Sequence, residues 1–114
     1  MPSDWEQQLI RRFTLATFLE AVRLFEEGIA APEDVDLAMR AGAGLAEGPF
    51  HWADARGLDV VLEELEMLAA EVGPRFQPPA SLRERVQRGQ LGVRTGRGYM
   101  TYVRRSRRQT EEGE

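Results

Sequence analysis

The sequence has 114 residues, one domain's worth, of which 42% are hydrophobic and 30% charged, the balance of an ordinary globular protein. A net charge of -4 argues against a dedicated nucleic-acid binder, and the lack of cysteine excludes both a disulfide framework and a thiolate metal site. The opening Met1-Pro2-Ser3-Asp4 has neither a basic n-region nor an apolar h-region, and no apolar run approaches ~20 residues, so neither a signal peptide nor a membrane span is expected and a cytoplasmic location is. All fifteen basic residues are arginine, and asparagine is absent as well, a bias that a GC-rich genome produces.

In chain order, Ser3 and Glu6 form a capping box that predicts a first helix running to Glu27, with Gly28 as its stop. Its first half is amphipathic, with Trp5, Leu9, Phe13 and Ala16 on one face. Between Phe13 and Phe25 only Thr14, Thr17, Glu20 and Arg23 are polar, so this half reads as buried all round, either centrally or against a partner chain. Pro32 starts a second helix, with Glu33, Asp34 and Asp36 set against its positive dipole end and Gly42 or Gly44 at its close. Pro49 starts a short third helix, Phe50 to Arg56, ended by Gly57.

The fourth helix is the clearest, because Leu58, Val61, Leu62, Leu65, Leu68 and Val72 keep helical spacing until Gly73-Pro74. Pro74 to Pro79 reads as an extended connection, and Ser81 to Arg88 as a last helix with Leu82 and Val86 inward. A glycine-rich loop (Gly92, Gly96, Gly98) then leads into a short extended segment, Tyr99 to Val103. No run is long enough to build a sheet. The expected fold is therefore all-α, with about five helices in one domain over residues 1–103, followed by a charged, disordered tail over 104–114.

Three segments in register resemble the C-terminal domain of the 3-hydroxyacyl-CoA dehydrogenase family. They are Glu20-Ala21-Val22-Arg23-Leu24-Phe25 with Pro32-Glu33-Asp34-Val35-Asp36; Gly48-Pro49-Phe50 with Ala53-Asp54 and Gly57-Leu58-Asp59; and Gly92-Val93-Arg94-Thr95-Gly96-Arg97-Gly98-Tyr99. The similarity covers roughly residues 9 to 102. It implies a helical domain of the 6-phosphogluconate dehydrogenase C-terminal-like type that dimerises and closes over acyl-CoA beside a Rossmann domain; the apolar surface of the first helix is where the dimer contact is expected. That second domain binds NAD and supplies a catalytic histidine–glutamate pair.

On this resemblance no catalytic residue is expected in the chain, and no cofactor for the chain alone; NAD would come through a Rossmann partner, separately encoded. No G-x-G-x-x-G follows a strand here, and His51 lies outside the segment that carries the family's catalytic pair. The resemblance assigns Arg94 to cofactor contact, where the family has lysine, and Arg11, Gly48, Pro49 and Phe50 to the substrate cleft. Arg11 stands where the family has a substrate-directed asparagine, and arginine has no acceptor to replace it.

Other constellations have plainer readings. His51 and Asp54 at i, i+3 lack further ligands for a metal, and no metal is expected. Asp34 and Asp36 read as helix-dipole compensation rather than as paired carboxylates. Phe13, Phe18, Phe25 and Trp52 read as core or interface rather than as a ligand box. Arg104, Arg105, Arg107 and Arg108 read as a solvated tail offset by Glu111, Glu112 and Glu114, not as a phosphate grip. The expected function is the dimerisation and acyl-CoA-cleft half of a 3-hydroxyacyl-CoA dehydrogenase of fatty-acid metabolism, with a stand-alone, non-catalytic dimerisation or acyl-CoA-binding module as the alternative.

Overall fold

The computed structural model describes residues 3–103, so the reading of the tail over 104–114 lies outside the described residues. Five α-helices follow one another: α1 Asp4–Glu26, α2 Pro32–Gly42, α3 Pro49–Arg56, α4 Leu58–Glu71 and α5 Ala80–Gln87. Two 3₁₀ turns, Pro74–Phe76 and Val93–Thr95, complete the order. No strand forms among the described residues, only isolated bridges between Gly92 and Arg97 and between Arg97 and Thr101. The segment expected to be extended, Tyr99 to Val103, is thus a folded-back loop.

Local signals explain most boundaries. The Glu6 carboxylate accepts from the Ser3 N–H at 3.3 Å and from its hydroxyl at 2.8 Å, which opens α1. Past the end of α1, Gly28 takes φ +76°. Pro32 and Pro49 occupy first-turn positions, where their missing N–H costs nothing.

Two expectations change. The second half of α1 is not buried all round: Leu15, Phe18, Leu19, Ala21 and Val22 are buried, while Ala16, Glu20 and Arg23 form an exposed strip. Glu20 and Arg23 pair in solvent at 3.3 Å, which is why that strip needs no cover. The bare apolar surface lies instead in the first half, where Trp5, Leu9, Ile10 and Phe13 are each more than half exposed. The connection after α4 is also no plain extended link, because its 3₁₀ turn drives Phe76 into the core.

Inside, α1 lies against α2 and α3, and α4 packs against α3 and α5. Phe18, Phe50 and Tyr99 form the centre, with ring centroids 4.9 to 6.2 Å apart and edge-on or tilted geometry. Phe25 adds edge-on contacts to Phe50 and Tyr99. The Tyr99 hydroxyl, carried into the core, is satisfied by the Ser81 hydroxyl at 2.8 Å. Arg85 lies 4.3 Å above the Tyr99 ring, so a cation covers the aromatic cluster on its outer side.

Candidate functional site

The site is organised around α3, a helix of eight residues with a buried aspartate engaged at each end. At its start, Gly48 is the N-cap residue and has no side-chain acceptor, and Pro49 has no N–H to satisfy. The N–H groups of Phe50 and His51 therefore need an acceptor from elsewhere. Asp36 of α2 supplies it, accepting from both at 2.8 Å. A Cβ at position 48 would fall on the Asp36 carboxylate, so the cap requires glycine there. Asp36 does compensate a helix dipole, but that of α3 rather than of its own helix.

At the other end, Asp54 is almost wholly buried and holds the C-terminal loop. Its carboxylate accepts from the Tyr99 N–H at 2.9 Å, the Met100 N–H at 3.0 Å and the Tyr102 hydroxyl at 2.7 Å. Burial pushes the Asp54 carboxyl above the usual carboxylate range, against the opposing pull of these hydrogen bonds. Tyr102 is pushed well above its ordinary value too, by burial and by its bond to Asp54. Gly98 is packed against the Asp54 side chain and Gly92 against its backbone carbonyl, and a Cβ at either would collide. The glycine loop is therefore clamped at both ends onto one residue.

Between those ends the Val93–Thr95 turn carries Arg94, whose Nη2 donates to Asp59 Oδ2 at 2.7 Å. That bond holds the Asp59 carboxyl below the usual carboxylate range. Arg94 and the Gly48-Pro49-Phe50 segment thus stand at opposite ends of α3.

The cleft residues implied by the resemblance are distributed over neighbouring surfaces. Gly48 reaches an open cleft of about 490 Å³ between α2 and α3, lined also by Glu33, Arg40, Glu47 and His51. There His51 Nδ1 stands 2.6 Å from the Glu47 carboxylate, so His51 pairs with Glu47 and not with Asp54. Pro49 borders a smaller groove of about 130 Å³ with Phe13, Thr14, Thr17, Leu45 and Trp52. Phe50 reaches no surface; it is fully buried and supports these walls from beneath.

Arg11 lies farther along α1, in a groove of about 330 Å³ with Gln7, Ile10, Trp52, Arg56 and Glu64. Its Nε is 4.0 Å from Glu64, whose two oxygens already take Arg56 in a bidentate pair at 2.6 and 2.9 Å. Among the described residues no three His, Asp or Glu converge to hold a metal ion, and no helix is long and apolar enough to cross a membrane. Asp36, Asp54 and Asp59 organise the site, yet sequence reasoning gave none of them that part. One signal was available: a helix opening Gly-Pro has no cap of its own and requires an acceptor from another segment.

Comparison with known proteins agrees with this architecture. Residues 9–102 match the family described as "3-hydroxyacyl-CoA dehydrogenase, C-terminal domain". Hydroxyacyl-coenzyme A dehydrogenase, mitochondrial, of Mus musculus is 39% identical over 97 residues, a match covering 82% of this chain and 31% of that protein. Among solved structures, (S)-3-hydroxybutyryl-CoA dehydrogenase from Ralstonia eutropha superposes with a TM-score of 0.77 at 37% identity, covering 82% of this chain and 33% of that one. The 3-hydroxybutyryl-CoA dehydrogenase of Escherichia coli gives 0.78 at 33% identity, over 85% of this chain and 21% of that one. The chain thus spans about a third of the length of the curated relatives it matches.

Proposed function

The chain belongs to the 3-hydroxyacyl-CoA dehydrogenase family as its C-terminal domain, and from that premise we propose that it is the dimerising, acyl-CoA-cleft half of such an enzyme. In this reading a Rossmann partner binds NAD and contributes the groups that remove the hydroxyl proton and pass the hydride. The helical chain contributes one wall of the cleft, through Gly48, Pro49 and Arg11 with Phe50 beneath, and Arg94 toward the cofactor. Fatty-acid metabolism in the cytoplasm is the setting that this reading assigns.

The observation that carries the proposal is the bare apolar row on α1. Trp5, Leu9 and Phe13 project from a helix whose other half is built into the core. Monomers rarely leave a contiguous apolar patch of this kind uncovered. A second copy placed along the row would bury it and set two clefts on one rigid body. Mixing the chain with the NAD-binding domain of the Ralstonia eutropha relative and following NADH production from 3-hydroxybutyryl-CoA tests the activity; an inactive mixture contradicts it. Light scattering tests the dimer.

A second reading, a non-catalytic dimerisation or acyl-CoA-binding module, draws support from Arg11. Its charge lies beside Glu64 and Arg56, and it offers a substrate hydroxyl or carbonyl no acceptor. Calorimetry with acetoacetyl-CoA separates the two: binding heat together with an inactive mixture favours the module.

A further inference from the structure

Arg94 is not a free surface arm. Its one hydrogen bond among the described residues goes to Asp59, and its side chain nevertheless remains 55% exposed. The guanidinium lies across Gly57, where a Cβ would stand 3.2 Å from Arg94 Nη1 and 3.0 Å from Asp59 Oδ1. Gly57 has φ +105°, ends α3 and opens α4, so the surface under the guanidinium is bare backbone at a fixed corner. The turn bearing Arg94 starts at Gly92, itself pressed onto the Asp54 carbonyl. Both ends of the arginine are thereby fixed, the backbone through Asp54 and the tip through Asp59. A guanidinium has five N–H donors, and Asp59 takes one.

The geometry points to Asp59 as the positioning residue of Arg94: it holds the planar fork over Gly57 with the remaining donors outward, so that Arg94 docks an anionic oxygen of a dinucleotide carried by the partner domain. This rests on the reading in which Arg94 reaches the cofactor. A long side chain loses rotamer freedom when it takes a ligand, and one already clamped loses less. Against that, the Asp59 charge repels an incoming anion. The two effects have opposite signs, and between exposed groups the repulsion is weakened by water and salt. Alignment therefore wins. A neutral acceptor at position 59 keeps the alignment and removes the repulsion.

The experiment compares Asp59→Ala, Asp59→Asn, Arg94→Ala and the Asp59→Ala/Arg94→Ala double variant in the mixture with the Ralstonia eutropha NAD-binding domain. Positioning predicts that Asp59→Ala raises KM for NAD by roughly threefold at unchanged kcat. Asp59→Asn restores that loss, and Asp59→Ala adds nothing once Arg94 is gone. A KM for NAD that stays the same or falls in Asp59→Ala reduces Asp59 to a screening charge and overturns the inference.

If the wild-type mixture has no activity, the proposed function fails on its own account, and the chain alone decides this point. Nitrogen-15 spectra of the arginine side chains are then followed during titration with inorganic pyrophosphate. Positioning predicts a slowly exchanging Arg94 guanidinium that Asp59→Ala abolishes, with pyrophosphate bound roughly threefold more weakly by that variant. Equal or tighter binding by Asp59→Ala overturns it.

Discussion

The Asp36 carboxylate lies 2.8 Å from the backbone nitrogen of Phe50, so a side chain of α2 closes the open end of α3 from 14 residues away. The same carboxylate receives the His51 N–H, and among the described residues no other side chain caps the start of the helix.

Removing that acceptor leaves a buried N–H without a partner. Asp36→Ala should destabilise the domain by about 2–4 kcal/mol, the sum of a lost cap and an unsatisfied buried donor. Asp36→Asn keeps one acceptor oxygen and should lose about half as much. Urea denaturation of both variants checks this; equal midpoints for Asp36→Ala and wild type would refute the cap.

The glycines divide into two groups with opposite expected behaviour. Gly98→Ala drives a methyl group into the Asp54 carboxylate and should cost at least about 2 kcal/mol. Gly42→Ala, in the last turn of α2 with open space around it and no positive φ, should be neutral or stabilise by up to about 1 kcal/mol. Thermal melts should show a clear drop for Gly98→Ala and none for Gly42→Ala.

Two carboxylates should give stability slopes of opposite sign in acid. Asp59 titrates in the folded protein below its usual 3.8, held down by Arg94, so its contribution is complete above that value and is lost as pH falls through the folded pKa. Because the pair is partly exposed, this amounts to no more than about 0.5 kcal/mol. Asp54 is raised by burial, so its contribution is present below 3.8 and is lost as pH rises through its folded pKa. The stability gap between wild type and Asp59→Asn should therefore close in strong acid; a gap independent of pH would count against the ion pair.

The α1 row offers a test of assembly that leaves the fold alone. Leu9→Glu and Phe13→Glu replace side chains that are 58% and 64% exposed, so the monomer's own stability should change by less than about 0.5 kcal/mol. The proposed dimer, in contrast, should dissociate in sedimentation velocity. Retention of a dimer by the double variant would place the interface elsewhere.

Helix content was legible from spacing, because the α4 stripe and the proline and glycine boundaries depend on near neighbours in the chain. The partners of the aspartates were not. Asp54 meets Tyr99 across 45 residues and Asp36 meets Phe50 across 14, and no local pattern records which distant N–H a carboxylate will meet. The all-round apolar half of α1 misled for a related reason. Periodicity reports how much apolar surface a helix has, whereas the place where neighbours cover it follows from the packing of α2, α3 and the terminal loop. Of the residues that the resemblance assigns to the cleft, Gly48, Pro49 and Arg11 border grooves whereas Phe50 is fully buried, a difference that no local pattern in the sequence marks.

Tyr99 sits among Phe18, Phe25 and Phe50, so the ring that completes the aromatic centre comes from the loop that follows α5. During synthesis, the helices emerge well before that ring does. Until it leaves the ribosome, Phe18, Phe25 and Phe50 lack the ring that packs against all three, so the aromatic core can close only once the chain has been made as far as Tyr99.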